Sequence, residues 1–132
     1  MADLGTVRTA IATALDTIDG LRVHTGGLWP DSVNAPAALL KPLSDAPMSL
    51  DETTVVESFE LIVVVKGGGP YESAQKALDL FCSNTGSKSV KAALQTGLGG
   101  LLLSANRRDY GVFEIAGTEM AGAIWTLEVI SS

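Results

Sequence analysis

The stretch Val55-Val56-Glu57-Ser58-Phe59-Glu60-Leu61-Ile62-Val63-Val64-Val65-Lys66 contains neither glycine nor proline and is rich in β-branched residues. On a strand, successive side chains point to opposite faces. Phe59, Leu61, Val63 and Val65 therefore share one face, and Ser58, Glu60, Ile62 and Val64 share the other. Those first four are all apolar, while the second face turns apolar only towards its end. This predicts a long strand with one face covered and the other partly covered.

Gly67-Gly68-Gly69-Pro70 follows, and then Ala74, Ala77, Leu78, Phe81 and Cys82 recur at helical spacing, predicting a helix over 71–83. A strand, a glycine loop and a helix can cradle a phosphate, but these residues do not suit that task. A P-loop needs a lysine and a Ser or Thr hydroxyl after the glycines. Here Lys66 precedes them, Pro70 offers no N–H, and Glu72 puts negative charge where an anion would sit. The G-x-G-x-x-G pattern also fails, since the next glycine is Gly86. The glycines read as a pliable connector.

Working outward, Leu4, Val7, Ile11, Leu15 and Ile18 fall on one helical face after Asp3, a candidate N-cap. The helix is expected over 4–19, with Asp16 and Asp19 towards water and Gly20 as its stop. Residues 21–24 and 37–40 read as short strands around a turn-rich loop holding Trp29 and Pro30. Residues 43–54 are polar, contain Pro47, and read as a long loop. Ser87 is expected to cap a third helix carrying Val90, Ala93 and Leu94, ended by Gly97, Gly99 and Gly100. The tail reads as strands at 101–104, 110–116 and 123–130, with Gly117-Thr118-Glu119 as the last hairpin turn. The element order predicts one α+β domain over 1–132, with helices packed on one face of a mainly antiparallel sheet.

The chain's 132 residues suit one domain, burying roughly two thirds of the unfolded surface. A formal charge of −6 argues against a general grip on nucleic acid, whose affinity comes from neutralised phosphates. Cys82 is the single cysteine, which excludes an internal disulfide. No window approaches ~20 consecutive apolar residues and no signal peptide is seen, so a product folded in a cytoplasm, without membrane contact, is expected.

Chemistry-bearing residues are few. His24 is the single histidine, and zinc sites need several His or Cys ligands. A Cys82–His24 nucleophile pair is conceivable, but Cys82 sits on an apolar helix face where burial leaves a thiol inert. No serine stands in a G-x-S-x-G elbow. Asp51-Glu52 suits a cation site or a solvated loop. Arg107-Arg108-Asp109 suits a turn surface or an intersubunit ion pair. Trp29 suits a partner anchor or a cover for the core edge. No catalytic, cofactor or metal residue is predicted, and the profile fits an assembly subunit better than an enzyme.

Over nearly its whole length the chain resembles the tail terminator proteins of long-tailed bacteriophages, especially those from phages of actinobacteria. The likeness rests on Gly20-Leu21-Arg22-Val23 closing the first helix, and on Pro30-Asp31-Ser32-Val33-Asn34-Ala35-Pro36-Ala37-Ala38. It continues through Ala74-Gln75-Lys76-Ala77-Leu78-Asp79 and Gly86-Ser87-Lys88-Ser89-Val90-Lys91-Ala92-Ala93. It closes on Arg108-Asp109-Tyr110-Gly111 and Leu127-Glu128-Val129-Ile130.

The resemblance implies a structural virion protein at the head-proximal end of the tail, present in host cytoplasm during assembly. It implies a ring, typically a hexamer, that caps the tail tube, stops its polymerisation and offers a docking surface to the head-completion proteins. DNA would pass through the lumen without specific binding, and no cofactor is implied. Other head-tail connector proteins of similar size share such a pattern. A small-ligand module using Gly67–Gly69 is the remaining alternative. Loop length and charge, rather than the resemblance, nominate interface residues: Trp29, Asp31, Asp45, Asp51, Glu52, Arg107 and Arg108.

Overall fold

A computed structural model describes residues 4–18, 20–25, 36–42, 48–49, 55–66, 71–83, 86–99, 102–115 and 118–131. Among them the order is α1 (Leu4–Asp16), β1 (Arg22–His24), β2 (Ala37–Pro42), β3 (Met48–Ser49), β4 (Val55–Lys66), α2 (Tyr71–Cys82), α3 (Val90–Leu98), β5 (Leu102–Ile115) and β6 (Thr118–Ser131). The sheet runs β1-β2-β4-β6-β5, with β3 pairing β4 off that path. All pairs are antiparallel except β1 with β2. The fold is α+β, as the pattern predicts.

Strand β4 lies at the centre. Phe59, Leu61, Val63 and Val65 are buried against the helices, and β6 sets Leu127, Trp125, Ala123 and Ala121 opposite them in register. Ala38 and Leu40 of β2 extend this face. The other face grades from apolar to polar in step across three strands. Leu39, Ile62 and Ile124 align in one row, and Lys41, Glu60 and Thr126 align in the next.

Helix α1 contributes Val7, Ile11, Ala14, Leu15 and Ile18 to the core, and α2 contributes Ala74, Leu78 and Phe81. Ala77, expected on the buried face of α2, is exposed. It falls on the flank of the stripe, where a small side chain needs no cover. Helix α1 is shorter than expected. After Asp16 the chain tightens into turns: Ile18 N–H donates to Leu15 O at 3.0 Å, and Thr17 Oγ1 donates to Ala14 O at 2.7 Å. Gly20 then takes φ 82, a conformation glycine adopts without a Cβ penalty.

Four further expectations need correction. The cap of α3 is Ser89 rather than Ser87: its buried hydroxyl accepts from Ala92 N–H at 3.1 Å and donates to Ser83 O. Gly97 does not end α3, which runs on to Leu98 and is capped by Gly99. The 43–54 segment is not all loop, because Met48 and Ser49 form β3 opposite Val56 and Val55. The tail holds two long strands, since β5 is continuous through 105–109, and Thr118 and Glu119 pair with Ile115 and Glu114 instead of turning. The connector 67–70, the candidate cap Asp3 and residue Asp19 lie outside the described residues.

Helices α1 and α3 meet at one close point. A Cβ at Gly97 would overlap the Cβ of Ala14. Glycine costs a helix about 1 kcal/mol relative to alanine, so Gly97 is there for the approach rather than for the helix. Gly97→Ala is expected to destabilise the fold by about 1–3 kcal/mol in urea unfolding, although alanine is the better helix former. Ala14→Gly in the same chain is expected to recover most of that loss. A purely additive cycle would show that the two positions do not touch.

Candidate functional site

Strand β5 closes one end of the sheet, so among the described residues only β6 pairs with it. Two irregularities mark it. The register steps from Leu102–Val129 to Ser104–Glu128, and again from Arg107–Trp125 to Asp109–Ile124. Leu103 and Arg108 are therefore the extra residues of two bulges. The second bulge resets the alternation. Arg107 and Tyr110 come to share the helix-covered face, opposite Trp125 and Ala123.

That shift assembles a polar unit over the end of α2. The Arg107 guanidinium carbon stands 5.6 Å from the centroid of the Tyr110 ring, a cation–π distance. Tyr110 Oη donates to Asp79 Oδ1 at 2.8 Å. Cys82 follows Asp79 by three residues, nearly one helical turn, and is half-buried. Burial pushes its thiol above the ordinary value, the hydrogen bond and charge of Arg107 pull it down, and Asp79 pushes it up again. Desolvation is the largest of these, so the thiol stays protonated near neutral pH.

Beside this unit a trough runs between α3 and β5. One part, of about 300 Å³, is lined by Cys82, Lys91, Ala105, Asn106, Arg107 and the buried Trp125. A second part, of about 400 Å³, shares Lys91, Ala105 and Asn106 and adds Gln95, Gly99, Leu102 and Ser104. Lys91 stands in the first turn of α3, which carries no acidic residue. A cation there opposes the helix dipole.

Of the residues nominated from sequence, Arg107 is in the trough wall. Arg108 is the bulge residue of β5, and its side chain lies outside the described residues, as do Trp29, Asp31, Asp45, Asp51 and Glu52. Arg107-Arg108-Asp109 is not a turn but mid-strand. His24 ends β1 at the opposite edge of the sheet from β5, four inter-strand spacings or about 19 Å away. The fold thus separates His24 from Cys82. Sequence reasoning missed Asp79, Tyr110 and Lys91, because an unseen bulge decides which of them meet. Among the described residues no three His, Cys, Asp or Glu side chains group as metal ligands, and no helix is long and apolar enough to cross a membrane.

No family model and no curated protein matches the chain.

The thiol gives a direct check on this geometry. Alkylation of Cys82 by iodoacetamide is expected to be slower than that of a free peptide thiol at pH 7.5 and to quicken as pH rises. Arg107→Gln removes the group that lowers the thiol pKa, so alkylation is expected to slow further. An unchanged or faster rate in that variant would remove Arg107 from the thiol's surroundings.

Proposed function

We propose that the chain is a ring-forming tail terminator of a long-tailed bacteriophage, a structural subunit that caps the tail tube, halts its growth and receives the head. The observation that carries this reading is the open sheet ending in β5, a strand of 14 residues with one free edge among the described residues. A closed ring needs two different patches on each copy, one meeting the other around the axis. The two ends of the sheet differ in this way. One is short and parallel-paired, and the other is long, antiparallel-paired and bulged.

Exposed apolar side chains support an assembling surface. Val112 on β5 is 50% exposed and Leu80 on α2 is 53% exposed. Monomeric proteins protect long edges with bulges or charge, and Val112 is an unprotected position on this one. The acidic balance, −6 overall, suits a lumen through which DNA slides without being held. The resemblance supplies the ring number, six, and the place at the head-proximal end of the tail.

Native mass spectrometry and electron microscopy of the purified chain test the reading. The expected result is a ring of uniform subunit number whose addition stops polymerisation of the phage's own tail tube protein. Rings that bind head connectors yet leave tube growth untouched would move the chain to another connector role. A monomer at every concentration, with tube growth unaffected, would end the proposal. Val112→Lys sets a charge on the free edge of β5 and is expected to weaken ring formation while leaving the melting temperature close to that of the parent chain.

A further inference from the structure

We propose that the trough between α3 and β5 is the receiving half of the contact between copies, and that it takes an acidic, extended segment of the neighbouring copy. This rests on the ring reading above and adds the surface and its chemistry.

The first argument is charge. The chain has 15 acidic against nine basic residues, so two copies carry the same net charge and repel on average. The trough is a local exception. Lys91 and Arg107 both line it, and Lys88 is exposed in the turn just before α3. The nearby carboxylate of Asp79 is already engaged by the Tyr110 hydroxyl. A positive trough on a negative molecule is complementary to another copy of the same molecule.

The position of Lys91 strengthens this. It is half-buried in the first turn of α3, where the helix dipole disfavours a cation by about 0.3–1 kcal/mol. An acidic group entering the trough would meet Lys91, the positive helix end and Arg107 together.

The second argument is backbone. The floor of the trough runs along β5 at 104–107, the regular run between the bulges at Leu103 and Arg108. An extended segment laid there can pair with the free edge, while Gln95, Ser104 and Asn106 offer donors and acceptors. The bulges limit such pairing to a short length, which favours one docked segment over open-ended sheet growth. Phosphate would satisfy the cations but not the strand edge, so a peptide occupant fits better than nucleic acid.

Sedimentation velocity across concentration, read beside alkylation of the natural single cysteine, tests the proposal. Assembly of the parent chain is expected to weaken as salt rises and to slow Cys82 alkylation, because the docked segment covers the trough. Lys91→Glu with Arg107→Glu is expected to raise the dissociation constant about tenfold or more, and Lys76→Glu on exposed α2 is expected to leave it unchanged. Circular dichroism checks that each variant is folded. If the double variant does not fold, Lys91→Gln alone is read for a several-fold weakening. Rings that form as well in the charge-altered variants would overturn this contact and leave the ring reading standing. A parent chain that stays monomeric would overturn both. Protection of Cys82 by duplex DNA in place of a second copy would overturn the peptide occupant.

Discussion

The β4–β6 ladder sets Phe59 opposite Leu127, Leu61 opposite Trp125 and Val63 opposite Ala123, and the rest of the molecule depends on that register. A slip of one residue would turn every one of these side chains to the other face. The helices would then meet Ser58, Glu60, Thr126 and Glu128 at one end of the ladder in place of apolar side chains. The register is well specified because β4 from Phe59 to Val65 and β6 from Ala121 to Val129 each carry an unbroken apolar face. The second face holds too, since its polar and apolar rows match across β2, β4 and β6.

The helix layer has its own constraint at the contact of Gly97 with Ala14. With no side chain at Gly97, α1 and α3 approach more closely than a Cβ would allow. That contact holds α3 on one side while Val90, Leu94 and Leu98 anchor it in the core. The position of α3 over the sheet sets the distance from Lys91 to β5, and so the width of the trough. A single small residue where α3 meets α1 thereby bears on the surface that α3 forms with β5.

Much of the fold was legible in the sequence because its signals are periodic. Period two in β4 and β6, and periods of three and four in α1 and α2, are read directly from which residues are apolar. What escaped was aperiodic. The bulges at Leu103 and Arg108 leave no mark on composition, so β5 reads as two short strands with a polar interruption. Gly97 reads as a helix stop because glycine usually is one, and only the proximity of Ala14 gives it another role. Within the candidate site, only Arg107 and Cys82 were legible. Tyr110 and Asp79 are 31 residues apart in the chain, and their contact needs both the hairpin and the bulge.

The Arg108 bulge can be weighed as protection or as construction. An inserted residue that twists a free edge is a common defence against unwanted pairing, and a bulge at any point along β5 would serve. This one does more than interrupt. It turns Tyr110 to the helix side, where its hydroxyl reaches Asp79 and its ring lies beneath Arg107. Arg107, an exposed side chain on an edge strand, is thereby steadied at the mouth of the trough instead of ranging through solvent. Holding one cation in place costs side-chain entropy of up to about 2 kcal/mol, against a cation–π contact of about 0.5–1 kcal/mol. An isolated subunit gains little from that exchange. A surface that must present a fixed positive charge to a partner does gain, because the ordering cost is then met before the partner arrives.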